Sequence, residues 1–193
     1  VTTYVYDQFN IYPEVMTNAL GQAVSYEYDY RLGKPFKTTD ANGLVNKITY
    51  DGLGRAAKEE FTQPGQTDPN VMFTKMAVTY ELYEQGSPNG PEIRGWKTTE
   101  TNYLDEVDAE TPRENKSITY TDGFDRPVQI RALAESADGS PEMERYVVVD
   151  TEYNGIAQIA KTSLPYFSDG SNRTEINSNQ NLFAQLNYDP AYR

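Results

Sequence analysis

The sequence predicts an all-β protein, an antiparallel β-meander of short hairpins forming a curved sheet. Three observations predict it. Tyr, Thr and Val are plentiful and Leu is scarce, a bias toward residues that suit a pleated, half-buried surface. The dipeptide Tyr-Asp recurs at Tyr6-Asp7, Tyr28-Asp29 and Tyr50-Asp51, spaced by 22 residues and then 22 again. Around it apolar side chains alternate, so that Tyr26 and Tyr28 share one face, as do Ile48 and Tyr50.

The repeat extends well beyond the dipeptide. Tyr4 aligns with Tyr26 and Ile48, Pro13 with Pro35, Thr17 with Thr39, Asn18 with Asp40, Ala19 with Ala41 and Gly21 with Gly43. Thus "TNALGQAVSYEYD" lies over "TDANGLVNKITYD" without a gap. Each unit reads as two strands. After Tyr50, "DGLG" reverses the chain, Gly52 and Gly54 being free to take positive φ, and Ala56, Lys58 and Glu60 follow on a more polar strand. "TDANGLV" makes the opposite reversal, with Asn42-Gly43 as the hairpin signal.

An insertion follows, at about 63–116. In "TKMAVTYELYE" the residues Met76, Val78, Tyr80 and Leu82 are predicted on one face. "GSPNGPEIRG" turns and "WKTTETNY" returns, giving a longer hairpin that ends in the acidic loop "LDEVDAETPREN". "ITYTDGFDRPVQIRA", from Ile118 to Ala132, repeats the strand-turn-strand form with one extra residue before Gly123. "RYVVVDTEY", Asn154-Gly155 and "IAQIAKTSL" make a further hairpin. "PYFSDGSNRTEINSNQN" reads as loop and "NLFAQ" as a short helical turn. Tyr188-Asp189 and Arg193 are spaced as Tyr50-Asp51 and Arg55 are, so the chain stops as another hairpin begins. The expectation is a fragment of a longer protein, residues 1–193 forming a single β region.

Composition narrows function. With 193 residues the chain is long enough to bury a core. Its 37% hydrophobic residues fall below the usual range of about 45–50%, which also counts glycine, and sixteen tyrosines partly compensate. Seventeen basic residues against twenty-nine acidic give a net charge of −12, which argues against nucleic acid and anionic membrane surfaces as partners. No apolar run is long enough for membrane insertion, and no signal-peptide pattern is present. Cysteine and histidine are both absent. That removes disulfides, thiol nucleophiles, imidazole-ligated zinc, Ser-His-Asp triads and the commonest general base. No cofactor or metal is expected, and an enzyme is left with carboxylate, Ser/Lys or Tyr/Lys chemistry.

The stretch "YEYDYRLGKPFKTTDANGLVNKITYDGLGR" resembles the YD repeats of RHS-family proteins. "ITYTDGFDRPVQIRALAE", followed by "SLPYF", is more narrowly similar to the B component of insecticidal Tc toxin complexes and to SpvB-like proteins. The resemblance implies a segment of a hollow RHS shell, secreted or at the cell surface. Its partners would be other repeats and the C-terminal segment of its own parent protein, which the shell encloses. It carries over no catalytic residue, because nothing here matches the family's self-cleaving aspartates. The expected role is therefore a non-enzymatic structural module.

Each candidate site has a structural counterpart. Asp51 and Arg55 of "YDGLGR" would be an active pair in an enzyme, but a motif that recurs per repeat is scaffolding. Asp51 then bonds turn amides and Arg55 pairs with a carboxylate across the sheet. The tyrosine stripes (Tyr4/Tyr6, Tyr26/Tyr28, Tyr50, Tyr120) are commonly cross-strand packing and are also platforms for sugar rings. The alternative function is thus a cell-surface carbohydrate-binding module, with Trp96, the one tryptophan, and Tyr103 as glycan contacts. "DTEYNGIAQIAK" places Asp150, Glu152, Asn154 and Gly155 at EF-hand-like positions, but Lys161 stands where a bidentate Glu is required. The run Asp105 to Glu110 reads as a solvated loop. Asn115-Lys116-Ser117 and Asn172-Arg173-Thr174 match glycosylation sequons, a pattern common by accident. No sequence feature singles out a carboxylate pair for glycoside hydrolysis.

Overall fold

The computed structural model describes residues 1–65, 68, 71–87, 90–104, 113–134, 144–174 and 182–188. The described strands, numbered along the chain, belong to one antiparallel ladder with the order β1-β2-β3-β4-β5-β6-β7-β8-β9-β10-β11-β12-β14, and β13 pairs β11. Neighbours in sequence are neighbours in the sheet, which is what hairpins joined in series produce. Among the described residues no helix is long and apolar enough to cross a membrane.

Two compact units divide the chain. The first holds Val1–Val78 and Asn102–Glu114. It contains β1 (Thr3–Tyr6), β2 (Pro13–Thr17), β3 (Ala23–Asp29), β4 (Lys34–Thr39), β5 (Val45–Tyr50) and β6 (Ala56–Phe61), and the start of β7 (Phe73–Ser87). The 22-residue repeat is visible as register: Tyr6 faces Pro13 and Tyr28 faces Pro35, each beside an irregularity in the ladder. Tyr50 faces Ala56, so the third turn is one residue shorter. Here the core is thin. Val45 and Val78 are buried, whereas Tyr4, Tyr6, Phe9, Ile11 and Tyr30 are exposed.

The second unit holds Thr79–Thr101 and Asn115–Arg193. It takes most of β8 (Gly90–Tyr103) and of β9 (Glu114–Thr121), with β10 (Pro127–Ala134), β11 (Arg145–Tyr153), β12 (Ile159–Ser163), β13 (Tyr166–Asp169) and β14 (Phe183–Gln185). Ile118, Tyr120, Tyr146 and Val148 form its buried core, with Tyr83, Val128, Leu133 and Tyr166 packed against it. β11 is long enough to pair twice on one side, with β12 through Thr151–Tyr153 and with β13 through Arg145–Val148.

Three expectations need correction. "NLFAQ" supplies no helical turn; Phe183–Gln185 is β14, because Lys161–Ser163 offers it a sheet edge. In "PYFSDG" the residues Tyr166–Asp169 are likewise a strand on β11 and not loop. In β7, Met76, Val78 and Tyr80 keep their predicted phase, but Leu82 is 72% exposed and Tyr83 turns inward instead. Tyr83 wins because its ring meets Tyr120 edge-on at 5.1 Å and its hydroxyl donates to the Thr121 carbonyl at 2.9 Å.

Candidate functional site

The repeated turn is the first constellation to place. In "DGLGR" Asp51 Oδ1 accepts the amides of Leu53 and Arg55, both at 2.9 Å. Gly54 N donates to Asp51 O at 3.0 Å and Asp51 N to Arg55 O at 2.8 Å. This is a type I turn closed by a residue in the left-handed region, here Gly54 at φ 77°. The same bonds recur at Asn18, Asp40, Asp122 and Asn154, whose side chains accept the amides two and four residues on. Asp7 and Asp29 serve wider variants of the turn.

Arg55 pairs within its own turn. Its Nε donates to Asp51 Oδ2 within its own turn at 2.7 Å, and Arg126 repeats this on Asp122 at 2.8 Å. Backbone donation from Arg55, with help from its guanidinium, holds the Asp51 carboxyl below the ordinary carboxylate range. The Leu44 amide does the same for Asp40, and the Arg31 side chain for Asp29. A carboxylate committed in this way is a poor general base. The glycine that takes positive φ is also not always the one the dipeptide suggests. Gly52 and Gly155 are absent from the left-handed set, and Ala157 at φ 64° and Asp125 at φ 61° occupy the position that Gly54 fills.

Tyrosine hydroxyls follow a rule as well. Tyr28, Tyr50 and Tyr153 donate to the carbonyls of Pro13, Pro35 and Pro127 at 3.3, 2.8 and 3.0 Å. Tyr12 stacks on Tyr28 with centroids 4.6 Å apart. Tyr30 donates to Asp7 Oδ2 at 2.6 Å, and that bond raises the phenol pKa to about 12.

The two predicted glycan contacts fall in different units. Trp96 sits in β8 and is half-buried; its amide lies 3.4 Å from Thr121 Oγ1. Tyr103, in the first unit, lines an open hollow of about 450 Å³ with Phe61, Phe73, Leu104, Gln63 and Thr74. Phe61 and Phe73 lie with centroids 6.2 Å apart at 45°. Asp150 of the EF-hand-like segment is fully buried and bonded to Gln129 and Tyr166, and Lys161 pairs with Glu152 at 3.2 Å. The segment is two strands of a hairpin, not a cation loop. Asn115 and Asn172 of the sequons are exposed. The run Asp105 to Glu110, and Asp189, lie outside the described residues.

Sequence reasoning missed a buried polar cluster in the second unit. Gln129 and Arg131 of β10 and Asp150 of β11 are 1%, 0% and 0% exposed. Arg131 Nη1 donates to Gln129 Oε1 at 3.0 Å, and Gln129 Nε2 to Asp150 Oδ1 at 2.6 Å. Burial lowers the Arg131 pKa and raises that of Tyr166, whose hydroxyl donates to Asp150 at 2.7 Å. The available signal was alternation: "VQIRALA" carries its polar residues in phase, and here that phase points inward.

Neither a family model nor a curated protein matches the sequence. Solved structures do. The crystal structure of TcdB2-TccC3-TEV superposes with a TM-score of 0.77 at 17% identity, over 100% of this chain and 13% of that one. The chain has the fold of a segment of TcdB2-TccC3. The crystal structure of TcdB2-TccC3 itself gives 0.63 at 20% identity, over 86% of this chain and 10% of that one. A Photorhabdus luminescens Tc holotoxin pore gives 0.68 at 18% identity, over 86% and 12%. The β-meander predicted from the repeat is therefore the fold observed, and the Tc-toxin-like resemblance of the sequence agrees with these neighbours.

Proposed function

We propose that this chain is a structural, non-enzymatic wall segment of an RHS-type shell that encloses or delivers a toxin-like part of its parent protein. The parent would be secreted or displayed at the cell surface. The observation that carries the reading is repetition. The Asx turns at Asn18, Asp40, Asp51, Asp122 and Asn154 engage the side chains an active site would need free, and each closes its own hairpin. Likeness to TcdB2-TccC3 over the full chain supports it. The neighbours are many times longer than this chain, so the enclosed segment belongs to the parent and not to these residues.

Electron cryo-microscopy of the natural parent protein tests the reading. The expected result is this ladder continued on both sides by further hairpins around an enclosed chain. A ladder lying free on the protein's exterior, with nothing enclosed, overturns it.

One observation favours a second reading, recognition of a cell-surface glycan. Tyr103, Phe61 and Phe73 line an open hollow of about 450 Å³ together with Gln63 and Thr74, whose amide and hydroxyl are the polar groups a sugar would use. Trp96 would be a separate contact. Binding on a glycan array that is lost in Tyr103→Ala supports this reading, and an array without signal removes it.

A further inference from the structure

We propose that Asn42, at the tip of the β4–β5 hairpin, is a site of spontaneous backbone modification. It loses ammonia to form a succinimide with Gly43 and opens to aspartate and isoaspartate, whereas Asn154, which also precedes a glycine, is locked against the same reaction. The inference rests on the two turns and does not depend on the shell reading.

The reaction needs two atoms to meet. The main-chain nitrogen of the residue after the asparagine attacks the side-chain Cγ and closes a five-membered ring. The Cγ–Nδ2 bond breaks, and ammonia leaves with the proton shed by the attacking nitrogen. Water then opens the ring. Cleavage at Cγ leaves aspartate, and cleavage at the main-chain carbonyl leaves isoaspartate, through whose side chain the backbone then runs. A following glycine favours the attack because no Cβ screens its nitrogen.

Asn-Gly occurs at 42–43, 89–90 and 154–155. Asn89 lies outside the described residues. The other two fall at different positions of the same kind of turn. Asn154 is the acceptor: its Oδ1 takes the amides of Ile156 at 3.1 Å and Gln158 at 2.9 Å, and its Nδ2 lies 3.4 Å from Gln158 Oε1. Swinging its Cγ onto Gly155 N breaks the bonds that close the hairpin. In the earlier turn that duty belongs to Asp40, whose Oδ1 takes the amides of Asn42 at 2.8 Å and Leu44 at 2.9 Å. The Asn42 side chain is exposed and reaches the Asp40 carboxylate. It can rotate while both turn bonds stay closed.

Crowding does not separate the two sites, because a Cβ at Gly43 or at Gly155 would meet nothing within 4 Å. The hold on the asparagine does. Gly43 N, the attacking atom, donates to Asp40 O at 3.0 Å, but that bond lies at an exposed tip where water replaces it at small net cost. Asp51 and Asp122 also precede glycine, and both hold the acceptor position as Asn154 does. They are shielded from the corresponding ring closure, in which water leaves instead of ammonia.

The product does not fit the turn in which it forms. Isoaspartate adds a methylene to the main chain between Asp40 and Leu44, whose N and O are 2.9 Å apart across the turn. Aspartate at position 42 sets a second carboxylate beside that of Asp40. Either product loosens the hairpin.

The test ages the whole chain in mildly alkaline buffer, once folded and once in concentrated urea. Peptide mass spectrometry with electron-transfer fragmentation follows each site and separates isoaspartate from aspartate. The urea rates correct for the different preceding residues, Ala41 and Tyr153. The expected result is that folding slows Asn154 about tenfold more than it slows Asn42, because its turn bonds must open first. Asp51 and Asp122, each measured against its own urea rate, should be slowed as Asn154 is. Equal protection of the two asparagines, or greater protection of Asn42, overturns the proposal.

Discussion

Replacing Asp122 separates the two things a turn carboxylate does. Its Oδ1 accepts the amides of Phe124 at 2.9 Å and Arg126 at 3.0 Å, while Oδ2 pairs with the Arg126 guanidinium at 2.6 Å. Asp122→Ala removes all of these. A hydrogen bond to a charged acceptor contributes about 1.5–3 kcal/mol when dry. The Phe124 amide is exposed and finds water, so the two amide bonds together come to about 1–1.5 kcal/mol. The ion pair, with side chains 19% and 29% exposed, adds about 0.5 kcal/mol. Asp122→Ala is therefore expected to cost about 1.5–2 kcal/mol.

Asp122→Asn should cost only about 0.5 kcal/mol, the ion pair alone. An amide oxygen still accepts both backbone bonds, as Asn154 does from Ile156 at 3.1 Å and Gln158 at 2.9 Å. Urea denaturation followed by Trp96 emission reads both variants, because Trp96 lies in the same unit and its amide faces Thr121, next to Asp122. If Asn is as damaging as Ala, the ion pair holds the turn and the account of the repeat given above is wrong. If neither substitution matters, the turn is held by its strands.

Other outcomes follow from the same coordinates. Gly54→Ala, at φ 77° and with Leu32 Cδ2 3.0 Å from the new methyl, should cost about 1–2 kcal/mol, whereas Gly155→Ala should be near neutral. Ala157→Gly should stabilise by about 0.5–1 kcal/mol, the relief of left-handed strain less glycine's entropy; a loss in urea midpoint refutes the assigned turn. Gly95→Ala puts Cβ 1.8 Å from the Thr121 carbonyl oxygen, so backbone must move, and a cost of about 3 kcal/mol with altered Trp96 emission is expected. Acid should destabilise the fold. The carboxyls of Asp29, Asp40 and Asp51 titrate below their ordinary value, so the unfolded chain binds protons first. Their contribution is whole above about pH 5 and is lost as pH falls through 4 and below, a trend that thermal melts across that window measure. At the alkaline end, the Tyr30–Asp7 bond persists past pH 10 and fails toward about 12.

How much of this was legible depended on which atoms carried the signal. The strands from Thr3 to Phe61 were readable because Tyr-Asp and Asn/Asp-x-x-Gly recur at one offset, and each marks a backbone geometry that few residues supply. β13 and β14 were not readable. They are short strands ordered by edges that β11 and β12 happen to offer, a tertiary cause with no local trace. In β10 the alternation was clear but its direction was not. Ile130 is 45% exposed and Arg131 fully buried, because Ser168 Oγ and Gly170 O supply acceptors for the guanidinium at a place where hydrophobicity alone would have put the isoleucine. Trp96 and Tyr103 were chosen for ring type, and the structure distinguishes them by surroundings that sequence does not encode: one strand-bound beside Thr121, the other at the rim of an aromatic hollow.

A ladder of this kind can keep its fold while losing nearly all of its sequence. Strand pairing is made by main-chain groups, and register is fixed at the reversals by one acceptor side chain and one residue at positive φ. Within this chain the acceptor is Asp or Asn, and the positive-φ residue is Gly, Asp or Ala, so even these positions drift. An overlap of 0.77 in TM-score at 17% identity is the consequence expected when turns and not cores hold the register. The strand faces are then free to diverge, which is why the fold could be read from the turns.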